Sequence, residues 1–204
     1  MVMTDERATG RRRLTRDDWV SAALAAIGEG GVAAVAVEPL AARLGTTKGS
    51  FYWHFPHREA LLEAALAAWE QATTTAILEE VERATTDPVE QLRLLIDRVI
   101  DNAEGDPVEP ALFASAAHPV VGPALTRVTQ HRIDGTIRIF TRMGLRGAEA
   151  RRRALLAYSL YLGYGQLVRA TPAVLPQTRP GRREYLEHVM RVLTTGTDRS
   201  STNA

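Results

Sequence analysis

The chain has 204 residues, 45% of them hydrophobic and 24% charged, with a net charge of +1 and no cysteine. That composition fits a globular chain and excludes disulfides, thiolate chemistry and a strongly basic nucleic-acid coat. No apolar run approaches the ~18 residues that span a bilayer, and the polar N-terminus has no secretory core, so a cytoplasmic location without membrane contact is expected.

Residues 1–13 are polar and lack periodicity, and read as a flexible basic arm ending in Arg11-Arg12-Arg13. The first helix is expected from about 15 to 29. Thr15 caps it, Asp17 and Asp18 sit in its positive first turn, and Gly30-Gly31 stops it. A second helix spans about 38 to 44, with Pro39 in its first turn and Gly45 supplying the turn beyond it. A third follows Thr47, a candidate N-cap, and runs to about His54, where Pro56 ends it. A fourth begins near His57 and continues as far as residue 84.

Thr85-Thr86-Asp87-Pro88 breaks the pattern, which resumes over about 88 to 103. A short helix at about 110 to 117 precedes His118-Pro119. Longer ones are expected over 122–143, 148–170 and 181–195, with a Pro-rich loop at 171–181. No useful period-2 run occurs. The chain therefore reads as all-α with about nine helices. It divides into a helix-turn-helix unit over 14–60 and a larger helical bundle over 61–204.

Residues 37–58 carry the strongest functional signal. Two short helices around Gly45 have the spacing of a helix-turn-helix, whose second helix enters the DNA major groove. Thr47, Gly49 and Ser50 are small enough for close approach to base edges. Lys48, the one lysine among 25 cationic residues, can donate to phosphates or bases, as can Tyr52 and His54. Arg58 at the start of helix four can hold a phosphate. Phe51 and Phe55 lie four apart and should face inward. Tyr52 and Trp53 then point elsewhere, toward sugar or a thymine methyl. Four aromatics in five residues exceed what one buried face needs. Arg11, Arg12 and Arg13 read either as a solvated tail or as an arm reaching the minor groove.

These residues resemble the DNA-binding domain of the tetracycline-repressor (TetR) family. The match rests on Leu40-Ala41-x-x-Leu44-Gly45, on Thr47-Lys48-Gly49-Ser50-Phe51-Tyr52-Trp53-His54-Phe55, and on Arg58-Glu59-Ala60-Leu61-Leu62. It covers about a quarter of the chain. The resemblance implies a homodimeric transcriptional regulator, most often a repressor, released from a double-stranded DNA operator by a small ligand. By position it implies that Thr47, Lys48, Gly49 and Ser50 face the groove, that Tyr52, Trp53 and His54 contact bases and phosphates, and that Arg58 contacts a phosphate. Glu38 departs from the family, which often carries Thr, Ser or Arg there. Its carboxylate either caps its own helix, the reading preferred, or accepts from a cytosine amine.

In the second domain, Trp69, Phe113, His118, His131, Tyr158, Tyr161 and Tyr164 are candidates to line a mostly apolar ligand pocket. The two last long helices carry more apolar surface than one face requires. Leu155, Ser159, Leu162, Gly163, Leu167, Tyr185 and Val189 are candidates for a dimer interface of four helices. Arg151-Arg152-Arg153, unfavourable at a helix start, reads as a solvated edge. No catalytic order of residues, metal-ligand cluster or phosphate loop stands out, so no enzyme activity, metal or cofactor is expected. The alternative is a small-molecule-binding or protein-interaction module with vestigial DNA binding.

Overall fold

Thr15 opens the first helix, α1 (Arg16–Gly30), of a computed structural model that describes residues 13–197. Its hydroxyl accepts from the Asp18 N–H, and the Asp18 carboxylate accepts from the Thr15 N–H at 2.7 Å. This reciprocal capping box is worth about 1 kcal/mol. Gly31, at φ 73°, ends the helix in a conformation that a side chain would strain. A 3-10 turn (Val32–Ala34) leads to α2 (Val37–Arg43). Gly45, at φ 63°, makes the turn into α3 (Lys48–Tyr52). Thr47 precedes α3 in the extended geometry of an N-cap, but its hydroxyl accepts no bond from the helix, so the expected side-chain cap is absent.

The fourth helix, α4, spans residues 58–84. It begins as Arg58–Glu70, widens into a π-helical turn at Gln71–Thr75 and continues as Ala76–Ala84. His57 caps it, the imidazole Nδ1 accepting from the Ala60 N–H at 3.2 Å. Asp87 caps α5 (Pro88–Gly105) from the side chain, with Pro88 at the first position. α6 (Val108–Ala114), α7 (Val121–Arg142), α8 (Gly147–Ala170) and α9 (Arg179–Thr194) complete the set, with a 3-10 turn at Pro172–Val174. The described residues contain nine α-helices and no strand, the all-α architecture expected.

Two apolar cores divide the molecule. The first gathers Trp19, Ile27, Leu40, Phe51, Phe55, Leu61, Leu62, Leu66 and Trp69 from α1 to α4. It draws further on Val108 and Leu112 of α6 and on Val121, Leu125 and Val128 of α7. The second gathers Leu78, Leu92, Ile96, Ile133, Phe140, Ala154, Tyr164, Met190 and Leu193 from the lower part of α4 and from α5, α7, α8 and α9. α4 therefore contributes its first half to one core and its second half to the other. α6 packs on α1 so closely that a Cβ added at Gly28 would lie 2.8 Å from Pro107 Cγ.

Arg151, Arg152 and Arg153 do not form a uniformly solvated edge. Arg153 donates to the carbonyls of Leu193 and Thr195 at 2.7 and 2.9 Å, which closes the C-terminal end of α9. It also bonds Glu149 at 2.9 Å.

Candidate nucleic-acid interface and internal cavity

The short α3 keeps one face inside. Phe51 is fully buried, edge-on to Trp19 at 5.3 Å between ring centroids and stacked on Phe55 at 5.8 Å. The Arg16 guanidinium lies 4.7 Å over the Phe55 ring. With that side anchored, helical geometry turns the intervening aromatics outward. Trp53 is 88% exposed and Tyr52 54%. Large aromatics left this bare on a rigid helix carry an apolar surface that the fold does not use.

Around them, Thr47, Lys48 and Gly49 are exposed, and Ser50 and His54 half-buried. Arg13, Thr47, Gly49, Ser50, Trp53 and His54 line one open surface concavity, so the described end of the basic arm reaches the start of α3. Arg11 and Arg12 lie outside the described residues.

Two residues of this region stand differently from their expected roles. Glu38 neither caps α2 nor stands alone: its carboxylate bonds Lys48 Nζ at 2.8 Å, across the turn. The ammonium holds the Glu38 carboxyl below its usual value, and the carboxylate holds Lys48 above its own. Arg58 is turned into the fold. Its Nε donates to the Val35 carbonyl at 2.5 Å and its Nη2 to the Val32 carbonyl at 2.8 Å. The guanidinium thus fastens the start of α4 to the 3-10 turn that leads into α2. A bidentate pair of Arg43 and Glu29, at 2.7 and 2.6 Å, fixes α2 to α1. Sequence alone did not point to these three pairs.

Beside the second core lies a partly open cavity of about 60 Å3. α4 lines it with Thr73, Thr74, Ile77 and Leu78, α5 with Leu92, Leu95, Ile96, Val99 and Asn102, α7 with Arg132 and Thr136, and α8 with Ala157, Tyr158 and Tyr161. Of the seven expected pocket residues, Tyr158 and Tyr161 meet here, their rings 6.0 Å apart. Trp69 lies behind the wall, with the Arg132 guanidinium 5.3 Å over its ring. Phe113 shares a smaller recess with Tyr161 on the far side. Tyr164 is buried instead against Tyr185, stacked at 6.1 Å. His118 accepts from the Val120 N–H at 3.2 Å, and His131 stands 3.8 Å from Glu70. Neither histidine lines the cavity.

Arg132 organises the polar edge of the cavity and was not among the expected residues. Nothing in its local sequence marks it, because its partners lie 23 to 59 residues away. Its Nη1 bonds Glu109 Oε1 at 2.5 Å, its Nε Thr74 Oγ1 at 2.8 Å and its Nη2 Thr73 Oγ1 at 3.1 Å. The other oxygen of Glu109 accepts from the Tyr161 hydroxyl. Burial, with the Glu109 carboxylate beside it, pushes the Tyr161 phenol well above its usual value, so it stays protonated and donates.

Of the expected dimer residues, Leu155, Ser159, Gly163 and Leu167 are exposed on α8 and Leu162 is half-buried. Val189 is buried in the second core and Tyr185 leans inward on Tyr164. Val192 of α9 and Leu156 of α8 are also exposed.

Residues 20–65, which hold this helix-turn-helix, match the model of bacterial regulatory proteins, tetR family. The chain carries the tetR-family N-terminal domain. Among solved structures, a transcriptional regulator from Rhodococcus sp. Rha1 is 23% identical with a TM-score of 0.68, over 89% of this chain and 94% of that one. NemR of E. coli in its reduced form is 17% identical with a TM-score of 0.70, over 85% and 95%. SmeT, the repressor of the Stenotrophomonas maltophilia multidrug efflux pump SmeDEF, is 21% identical with a TM-score of 0.64, over 92% and 90%. No curated protein matches the sequence. The fold shared with these three structures extends over both halves of the chain. No helix among the described residues is long and apolar enough to cross a membrane, and no group of three His, Cys, Asp or Glu there could hold a metal ion.

Proposed function

We propose that this tetR-family chain is a homodimeric transcriptional repressor that binds a palindromic operator and is released by a small, mostly apolar ligand. One observation carries the reading: α3 anchors Phe51 and Phe55 inside while leaving Trp53 and Tyr52 bare beside Lys48, Thr47, Gly49 and Ser50. A helix bearing small residues at its start and aromatics at its end suits a major groove, where side chains reach base edges and thymine methyls. His54 and Arg13 flank that surface and suit phosphate contact.

Residues 14–60 supply the reading unit and 61–204 the ligand and dimer unit. Exposed Leu155, Leu156, Ser159, Gly163 and Leu167 on α8 supply the dimer surface, joined by Val192 rather than Val189 of α9. A dimer must place its two α3 helices about 34–36 Å apart to read successive major grooves. The second-domain cavity supplies the ligand site. Repression is favoured by the likeness to SmeT. Such a protein works in the cytoplasm, without catalysis or cofactor.

The test is selection of DNA fragments from a genomic pool at ~100 mM salt, followed by gel shift of the selected duplexes. The expected result is a retarded, dimer-sized complex on a palindromic fragment and not on random DNA of equal length. Equal retardation of both, or none, contradicts the reading.

A further inference from the structure

Arg132 ties together two helices that run from the first core to the cavity. α6 faces both ways: Val108 and Leu112 belong to the first core with Trp19 and Ile27, while Glu109 turns toward Arg132 and Tyr161. α4 does the same along its length. Leu61, Leu62 and Leu66 lie in the first core, while Thr73, Thr74 and Leu78 reach the cavity. Arg132 of α7 donates to Glu109 on α6 and to Thr73 and Thr74 on α4 at once. Both α4 bonds fall within the π-helical turn Gln71–Thr75, where one extra residue is accommodated per turn.

We propose, building on the ligand-released reading above, that the effector is an uncharged, mostly apolar molecule in this cavity. Its occupancy reaches the helix-turn-helix through Arg132, a positioning residue that clamps α4 and α6 together. The charge argument is direct. Arg132 is the one charged residue lining the cavity among the described residues, and Glu109 already neutralises it. Their side chains are 11% and 8% exposed. An anion entering here must take Arg132 from Glu109 and strand a buried carboxylate; a cation finds that carboxylate already bonded twice. Either charge is desolvated without a free counter-charge, whereas an uncharged apolar molecule loses nothing on entry.

The mechanical argument follows from volume. About 60 Å3 is far below the roughly 300–1,000 Å3 of ligand pockets, so an occupant must push a wall outward. α5, α7 and α8 meet the cavity as regular helices packed on one another. The π turn of α4 is the irregular wall. Its outward movement separates Thr73 and Thr74 from Arg132, which keeps Glu109. α4 and α6 then move independently, and both carry the first core with them. The ligand stabilises that second arrangement only by binding it more tightly.

The experiment uses the full chain and three matched probes, 1-octanol, octanoate and n-octylamine at neutral pH. Binding is measured by calorimetry, and affinity for a selected duplex by fluorescence anisotropy with and without probe. Octanol is expected to bind at least tenfold more tightly than either ion and to weaken DNA binding by about 5- to 150-fold, the usual range of coupling. R132M/E109Q removes both charges together, so neither is stranded. With the clamp already open it should hold the duplex about as weakly as the octanol-bound parent, and octanol should change that affinity by no more than about twofold. Should that variant not fold, T73A/T74A removes only the α4 acceptors and is expected to lose coupling in the same way.

Equal or tighter binding of either ion, or no binding of any probe, overturns the ligand class. Full coupling in a folded variant, or octanol binding that leaves wild-type DNA affinity unchanged, overturns the role of Arg132. A chain that binds no duplex specifically fails the preceding reading instead, and the three calorimetric titrations still decide the ligand class.

Discussion

Glu38 stands beside the reading helix with its carboxylate 2.8 Å from the one lysine of the chain. Both groups are exposed, so the pair adds little to stability. Its weight falls on DNA, where Lys48 must leave Glu38 to meet a phosphate. Glu38→Gln is expected to tighten binding and to steepen the slope of log affinity against log salt by up to ~0.9, one further phosphate neutralised. Lys48→Ala should weaken binding and flatten the slope by the share of that phosphate Lys48 already neutralises in the parent, the two changes together making ~0.9. Anisotropy titrations at several salt concentrations measure both, and identical slopes in the three proteins would remove Lys48 from the interface.

Tyr161 yields a pH dependence. Its folded value is raised by burial, so its contribution to stability is complete below the ordinary value of 10.0 and is lost as pH rises above it. Stability should fall above about pH 10 by up to about 1.4 kcal/mol per pH unit from this residue. Tyr185, raised by burial alone, adds to the slope. Denaturant unfolding between pH 8 and 11 should show a shallower alkaline decline in Tyr161→Phe than in the parent protein.

At the scale of elements, the helix-turn-helix is held by bonds between side chain and backbone as much as by its core. Arg58 closes the start of α4 onto the carbonyls of Val32 and Val35. Arg58→Ala leaves the Val35 carbonyl without its donor and removes one of the two donors to the Val32 carbonyl, and should lower stability by about 1–3 kcal/mol, with unfolding in urea as the measure. Trp53→Ala, at a bare position, should stay within about 0.5 kcal/mol of the parent while weakening DNA binding. An Arg58 that only touched phosphate would show the reverse pattern of the two effects.

The helices themselves were legible in the sequence because their signals are local. Thr15 with Asp18, Gly45, Pro56 and Asp87-Pro88 each act within one turn of the chain. The inward Phe51 and Phe55 followed from a spacing of four. The roles of Glu38, Arg58 and Arg132 did not, because each depends on partners brought near by folding, from 10 to 59 residues away. Val189 and Tyr185 show the same limit. An apolar position on an amphipathic helix tells that it is covered, not whether its own chain or a second copy covers it.

At the scale of the whole molecule, the two cores share α4 and α7, and Glu109 of α6 bonds Arg132 at the cavity, so α3 and the cavity are parts of one packed body. Leu155, Leu156 and Leu167 of α8 and Val192 of α9 are among the large apolar residues left exposed. Sedimentation is expected to give twice the chain mass for the parent protein and the single mass for Leu156→Glu/Leu167→Glu, with secondary structure retained by circular dichroism. A parent protein that sediments as a single chain at micromolar concentration would contradict a dimer.

In the proposed complex two copies of α3 read DNA in successive major grooves. Hydroxyl-radical footprinting of a selected palindromic fragment tests it most directly. Two protected segments centred about 10–10.5 base pairs apart, or a whole multiple of that spacing, are expected, both lost together in Trp53→Ala. A single protected segment, or protection unchanged in that variant, would contradict it.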